Sequence, residues 1–115
     1  MQSLIIILPD SVNFEQLDQS WPSFLQAAEN MPGLIKESVT VITETLSGTS
    51  SIARIYAFLF EDNPSLIQAL SSPQGEKAGR LIHQLSGGKA IILTGQYRED
   101  SLENLKKYHS ASHEE

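Results

Sequence analysis

Four segments of the chain have the hydrophobic pattern of β-strands. The first, residues 4–8 (LIIIL), is apolar at every position, which is typical of a strand buried on both faces. Residues 34–47 and 51–62 are rich in β-branched residues and flank Gly48, so they are expected to form a hairpin. The last strand is predicted at 89–97 (KAIILTGQY).

The region after the first strand has apolar residues at helical spacing. Asn13 and Gln16 lie three residues apart and resemble a capping box, which predicts a helix start. Pro22 removes a backbone donor and disfavours helical angles at the residue before it. We therefore expect a short helical turn at 13–19 and a main helix at 22–30, which the following Met-Pro-Gly ends.

Two further helix starts lie in the second half of the chain. An Asn-Pro pair predicts a helix with Asn63 as its N-cap and proline at the first helical position. A Ser-Pro pair at Ser72 repeats the arrangement before a helix predicted at about 74–86. Gly87 and Gly88 then supply the left-handed conformation that ends a helix.

The resulting order is strand, helix, strand, strand, helix, strand, which is the split βαβ pattern of ferredoxin-like α+β folds. The fold class predicts one four-stranded antiparallel sheet with strand order 4-1-3-2. A chain of 115 residues fits a single domain, placed here at residues 1–98. Residues 99–115 are expected to be a polar C-terminal extension, with one short helix docked by Leu102 and Leu105 before a frayed tail.

Both faces of the predicted sheet are apolar. In the third strand, one face carries Tyr56, Phe58 and Phe60, and the other carries Ala53, Ile55, Ala57 and Leu59. Helices can cover only one face, and the other would expose roughly 500 Å² of apolar surface, near or beyond what monomers tolerate. We therefore predict a homodimer packed sheet to sheet, a dimeric α+β barrel. The competing cover, the C-terminal extension, offers few apolar residues.

Composition narrows the possible partners. The formal net charge is −6, from 14 acidic and 8 basic residues, and an acidic surface repels nucleic acids and anionic membranes. We therefore expect neither as a partner. The absence of cysteine excludes disulfides and thiolate chemistry and fits a reducing compartment, so a cytoplasmic location is predicted.

Five residues are candidates for contact with a small hydrophobic or aromatic ligand. Arg54 lies on a largely apolar strand face, where a charge needs a partner. It is interpreted as an interfacial ion pair, as a strand-end arginine that reaches solvent, or as a clamp for a carboxylate ligand. Tyr56, Tyr97 and Trp21 could line a pocket or fill the core. His83 could be a neutral imidazole at a pocket mouth or a surface histidine.

No metal site or cofactor is expected. His109 and His113 have helical metal-ligand spacing, but they lie in a polar terminus where a solvated tail is the better interpretation. Gly87 and Gly88 follow a helix instead of preceding one, so they form no phosphate cradle. Ser20, Ser72 and Asn63 are interpreted as helix caps and not as nucleophiles.

Three stretches resemble the EthD-like members of the dimeric α+β barrel superfamily. They are MPGL (31–34), SSPQGEKAGRLIHQLSGG (71–88) and KAIILTGQ (89–96), and the resemblance extends over about residues 3–97. The superfamily includes cofactor-free monooxygenases, muconolactone-type isomerases, polyketide cyclases and haem enzymes. EthD-like proteins are associated with oxidative breakdown of small organic compounds.

The resemblance implies a small-molecule enzyme, a cofactor-free oxidoreductase, monooxygenase or isomerase acting on a hydrophobic or aromatic compound. EthD-like proteins often carry a histidine shortly before a proline in the first helix, where this chain has Trp21 and Pro22. They often carry an aspartate near the end of the later helix, where this chain has Arg80. These departures support the alternative, a non-catalytic ligand-binding or stress-type dimeric module.

Overall fold

The computed structural model describes residues 1–103 and forms one sheet with three helices on a single face. The elements in chain order are β1 (Gln2–Pro9), α1 (Phe14–Glu29), β2 (Lys36–Val41), β3 (Ile52–Phe60), α2 (Asn63–Ser71), α3 (Pro73–Leu85) and β4 (Ile91–Gln96). Within this described part of the chain, no helix has both the length and the apolar character needed to cross a membrane.

The four strands are antiparallel and lie in the order β2-β3-β1-β4. This is the predicted 4-1-3-2 order, so the ferredoxin-like fold is confirmed. β1 and β3 occupy the centre of the sheet, where Ile5 lies between Ala57 on one side and Leu93 on the other. On the helix side Leu4, Ile6 and Leu8 of β1 are buried in the core, whereas Ile5 and Ile7 on its other face are only partly buried.

The core lies between the sheet and the helices. Its largest fully buried side chains are Phe24, Phe58, Phe60, Leu8, Leu17, Leu66 and Ile82. They come from both central strands and from all three helices. Removing one such side chain from water stabilises the fold by about 1.5–3 kcal/mol.

The first helix is continuous from Phe14 to Glu29, and the predicted break at Pro22 is wrong. Pro22 is exposed, so the backbone carbonyl that its ring leaves without a donor lies on the solvent side. The buried residues Leu17 and Phe24 lie on either side of the proline along the core face. Burial of that continuous stripe outweighs the cost of an internal proline, about 3 kcal/mol. The cap at Asn13 is confirmed, because its side chain accepts a hydrogen bond from the Gln16 amide.

The N-cap of the second helix lies one residue earlier in the chain than predicted. Its N-cap is Asp62, whose carboxylate accepts a hydrogen bond from the Ser65 amide at 2.9 Å, whereas Asn63 is already helical. A carboxylate at this position also interacts favourably with the positive end of the helix dipole. The N-cap of α3 is Ser72, as predicted, and the same residue ends α2.

Gly75 allows α2 and α3 to meet almost without a connecting loop. The Ser72 hydroxyl donates to the Ala69 carbonyl at 2.6 Å and accepts from the Gly75 amide at 3.1 Å. A Cβ at Gly75 would lie 2.1 Å from the Ala69 carbonyl oxygen. The glycine of the Ser-Pro-x-Gly motif is therefore required by this close approach.

The predicted hairpin forms, with a shorter second strand than expected. Pairing between β2 and β3 runs from Lys36 opposite Leu59 to Val41 opposite Arg54. Beyond it, exposed residues form a loop in which Gly48 has a φ of 80°. The Ile42 amide still donates to the Ala53 carbonyl at 2.9 Å, but the β-branched residues that follow lie outside the paired strands, so β-propensity alone overestimates the length of β2.

One face of the sheet carries none of the helices α1, α2 and α3 of the described chain. Across it, Ala57, Ile5 and Leu93 form one apolar row, and Ile55, Ile7 and Ile91 form the next. We call these two rows the open face. Ile91 and Leu93 are 49% and 46% exposed.

Tyr97 and Lys36 lie at one end of the open face. They line a shallow pit with Ser3 and Leu59, both of which are buried. Glu99, at the start of the C-terminal extension, contacts both Tyr97 and Lys36 at this end of the sheet. Leu102 is 69% exposed and does not dock as predicted, while the predicted contacts of Leu105 and Tyr108 lie outside the described residues.

Replacing Gly75 with alanine should destabilise the protein by about 2–4 kcal/mol, because the new methyl group overlaps backbone atoms that cannot move independently. Gly79→Ala, the same change four residues along α3, is the matched control. A Cβ at Gly79 meets no atom within 4 Å, so this variant should be about 0.5–1 kcal/mol more stable than the wild type. Urea unfolding followed by circular dichroism measures both. Equal effects of the two substitutions would contradict the close approach.

Candidate ligand site between helix and sheet

A small pocket lies between α3 and the sheet. It has a volume of about 50 Å³. Its walls come from all three helices, the two central strands, β4 and the turn after α1, and they are formed by Leu4, Ile6, Phe24, Met31, Phe58, Leu70, Gly75, Ala78, Gly79, Ile82 and Ile92. Three of the four residues that α3 contributes to the wall are small, namely Gly75, Ala78 and Gly79.

The pocket opens to solvent beside exposed residues. Leu70 is 38% exposed and Ile92 is 50% exposed, and Gly79 is also exposed. These three residues form what we call the mouth. Large apolar side chains at an opening are free to change rotamer, so the mouth can widen more easily than the buried end of the pocket.

The pocket wall carries no titratable or hydrogen-bonding side chain among the described residues. A molecule bound there is desolvated and held by dispersion and by the hydrophobic effect. The site can therefore select an apolar molecule by shape. It offers no general acid, general base or cation to a bound molecule.

Arg54 of β3 forms an ion pair with Asp18 of α1. Its guanidinium donates two hydrogen bonds to the Asp18 carboxylate, from Nη1 to Oδ1 at 2.6 Å and from Nη2 to Oδ2 at 3.0 Å. The same group lies 4.3 Å from the centre of the Phe14 ring and 3.4 Å from the Tyr56 hydroxyl. The ion pair expected at an interface between copies thus lies within one chain, between Arg54 and Asp18, and the role of carboxylate clamp stays a prediction. Arg54 has little capacity left to clamp a carboxylate ligand.

The ion pair changes the pKa of both partners. The hydrogen bonds from Arg54 lower the pKa of Asp18 below its ordinary value, and burial opposes this weakly. The hydrogen bond to Asp18 likewise raises the pKa of Arg54. Both groups therefore stay charged across the physiological range.

Aromatic rings connect the ion pair to the pocket. Trp21 lies 4.5 Å from Tyr56 and 4.6 Å from Phe24, measured between ring centroids. Phe24 meets Phe58 edge to face at 6.1 Å, and these last two rings line the pocket. Three of the five predicted residues, Arg54, Tyr56 and Trp21, are thus brought together behind the pocket wall.

Tyr97 and His83 lie apart from that cluster. The Tyr97 hydroxyl donates to Glu99 at 2.6 Å, and this hydrogen bond raises the pKa of Tyr97. Glu99 also approaches Lys36 at 3.9 Å, at the polar end of the open face. His83 is exposed on α3. Ligand contact by any of the five predicted residues stays a prediction.

The residues that form the pocket were missed by sequence reasoning. Met31, Leu70 and Ile92 have the same apolar character as core residues, so composition and spacing do not distinguish them. Gly79 is the pocket residue that the sequence could have indicated. A glycine inside a helical pattern destabilises the helix, so its presence suggests a packing or functional role.

The described part of the chain offers no candidate metal centre. Within residues 1–103, no group of three or more histidine, aspartate or glutamate side chains is arranged to hold a metal ion. The predicted His109 and His113 pair lies outside the described residues.

Several solved structures share this fold. An EthD family protein from Bacillus halodurans is 21% identical, with a TM-score of 0.77, and the match covers 85% of this chain and 99% of that one. SnoaB, a cofactor-independent oxygenase from Streptomyces nogalater, is 10% identical, with a TM-score of 0.60 and coverage of 88% and 95%. A dimeric ferredoxin-like protein from Jannaschia sp. is 10% identical, with a TM-score of 0.62 and coverage of 84% and 100%.

These similarities define the class of the fold, which is that of the ferredoxin-like α+β proteins. The resemblance to EthD-like proteins expected from the sequence is confirmed at the level of the fold. No protein-family model matches the sequence, and no curated protein is similar enough to count as a relative.

Replacing Asp18 with asparagine should lower the free energy of unfolding by about 1 kcal/mol at pH 7, because it removes the charge-assisted pair and leaves half-buried Arg54 without its partner. The lowered pKa of Asp18 means that the wild type loses this stabilisation as the pH falls through the lowered value. The two proteins should therefore converge in acid. Chemical unfolding at a series of pH values measures the difference.

The control for this prediction is Glu15→Gln, which removes a charge from the same helix at an exposed position. It should change stability much less than Asp18→Asn. A constant difference between Asp18→Asn and the wild type at every pH would show that the charge of Asp18 does not act through Arg54.

Proposed function

We propose that this protein is a homodimeric α+β barrel that binds a small, neutral hydrophobic or aromatic compound in the pocket between α3 and the sheet. The observation that carries the proposal is the purely apolar wall of that pocket. An apolar pocket with an exposed mouth is the kind of site that excludes water and accepts an apolar molecule. The cytoplasmic location stays a prediction from the sequence.

The size of the pocket limits the ligand. Its volume of about 50 Å³ is well below the roughly 300 Å³ typical of sites for drug-sized ligands. Met31 and Leu70 are unbranched at Cβ, and methionine in particular adapts its shape to irregular spaces. A flat compound with one or two rings, entering as the mouth side chains rotate, fits this arrangement best.

The open face supports the dimer. Its two rows place six apolar side chains side by side across three strands, with Ser38 and Thr40 beside them on β2. A second copy related by two-fold symmetry would bury the same surface from both chains. Several proteins with this fold are described as dimeric, which agrees with this arrangement.

A second candidate function is catalysis, as a cofactor-free oxidoreductase, monooxygenase or isomerase acting on the same class of compound. It is supported by the shared fold of SnoaB, which is described as a cofactor-independent oxygenase. Against it, the described pocket provides no polar side chain to orient or protonate a substrate. Binding without turnover is therefore the function that the geometry favours.

Binding should be tested with toluene, 1-naphthol and benzoate, using thermal shift and ligand-observed NMR. Toluene and 1-naphthol should bind and raise the melting temperature, whereas benzoate, which has nearly the shape of toluene, should not. A carboxylate loses its hydration in an apolar pocket and gains no cation there, because Arg54 is already paired with Asp18.

The same compounds separate the alternatives. Tighter binding of benzoate than of toluene would contradict the proposal. It would instead support the alternative in which Arg54 binds the carboxylate of a ligand. Oxygen uptake or product formation with 1-naphthol, above that of a heat-inactivated sample, would favour the enzyme. Absence of binding by all three compounds would exclude the proposed ligand class.

Replacing Leu93 with glutamate should convert the protein from dimer to monomer, because the charge would lie in the middle of the proposed interface. Sedimentation velocity should give about twice the chain mass of 12.7 kDa for the wild type and the chain mass for the variant. Ile67→Glu is the matched control, since Ile67 is 54% exposed on α2, away from the open face. A monomeric wild type at micromolar concentration would contradict the dimer.

A further inference from the structure

Gly79 is a glycine that the fold of the single chain does not require. It lies in the middle of α3, and its backbone does not adopt a positive φ. A Cβ at this position would meet no atom within 4 Å. Glycine inside a helix is nevertheless less stable than alanine by about 1 kcal/mol.

Gly79 differs from Gly75, the other glycine of α3, in its surroundings. Gly75, which lies four residues before Gly79 on α3, is required by the close approach of the Ala69 carbonyl of α2. Gly79 has no such neighbour, and it borders the mouth of the pocket with Leu70 and Ile92. The free space beside Gly79 is therefore part of the opening through which a ligand would pass.

The proposed dimer does not account for this glycine. A second copy on the open face would contact the side of the sheet that carries Ile5, Ile7 and Leu93. The pocket and α3 lie on the opposite side, with Leu4, Ile6 and Phe58. Contact between sheets would therefore leave Gly79 exposed.

We propose that Gly79 sets the width of the mouth and so determines the largest ring system that the pocket admits. This inference rests on the proposed function and adds a specificity-determining residue to it. A side chain at this position would fill the gap between Leu70 and Ile92 from the α3 side. Ligands of one ring would be affected less by a methyl group there than ligands of two fused rings.

The test compares two substitutions with two probes. Gly79→Ala and Gly79→Leu are assayed for fluorobenzene by fluorine NMR and for 1-naphthol by fluorescence titration. Gly79→Ala should weaken 1-naphthol binding at least about threefold more than fluorobenzene binding. Gly79→Leu should weaken the binding of both by about tenfold or more.

The control variants are Arg80→Ala and Arg80→Leu, which change the adjacent exposed position on the same helix. Arg80 does not line the pocket, so both probes should bind these variants within about twofold of the wild type. Melting temperatures establish that each variant is folded, and both Gly79 variants should melt at or above the wild-type temperature.

The outcomes distinguish this inference from the proposed function. If the wild type binds both probes and Gly79→Leu binds them equally well, the role of Gly79 is overturned while the binding function stands. If the wild type binds neither probe, the proposed function itself fails. Should Gly79→Leu not fold, the ratio of the two affinities in Gly79→Ala decides, and an unchanged ratio overturns the role of Gly79.

Discussion

The structure depends on a sheet that is apolar on both faces, while α1, α2 and α3, the helices of the described residues, cover only one. β1 imposes this constraint, because Ile5 and Ile7 face away from the helices while Leu4, Ile6 and Leu8 face towards them. Burial of the second set stabilises the single chain. The first set is only partly buried in the single chain, so a second surface that covered it would add hydrophobic free energy to association.

The same constraint separates the two kinds of site. In the proposed dimer the open face is the contact surface, which leaves the helix side to carry the pocket. The pocket arises where α3 approaches the sheet with glycine and alanine, and that approach is fixed by Ser72 and Gly75 at the junction with α2. A motif that ends one helix and begins the next therefore also positions the wall of the candidate site.

The fold could be predicted from the sequence because its signals are local and agree with one another. Caps at Asn13 and Ser72 and the left-handed Gly87 act within a few residues, and strand parity predicts the open face. The predicted helix break at Pro22 was wrong because the prediction considered only the local cost of an internal proline. Burial of Leu17 and Phe24 on the core face of α1 outweighs that cost. The pocket could not be predicted, since its wall combines residues from six elements and one turn, and their side chains do not differ from core residues.

The structure changes the interpretation of Arg54, which the sequence marks as a candidate for ligand binding. A cation on an apolar strand face suggests ligand binding, but desolvation makes such a group costly unless a partner lies nearby. Asp18 is that partner, and Phe14 and Tyr56 complete the enclosure. The charge is thus used to hold α1 against β3. Because α1 also supplies Phe24 to the pocket, the ion pair acts on the site through position and not through contact, and an apolar pocket supported by a remote ion pair is better suited to selecting a molecule than to transforming it.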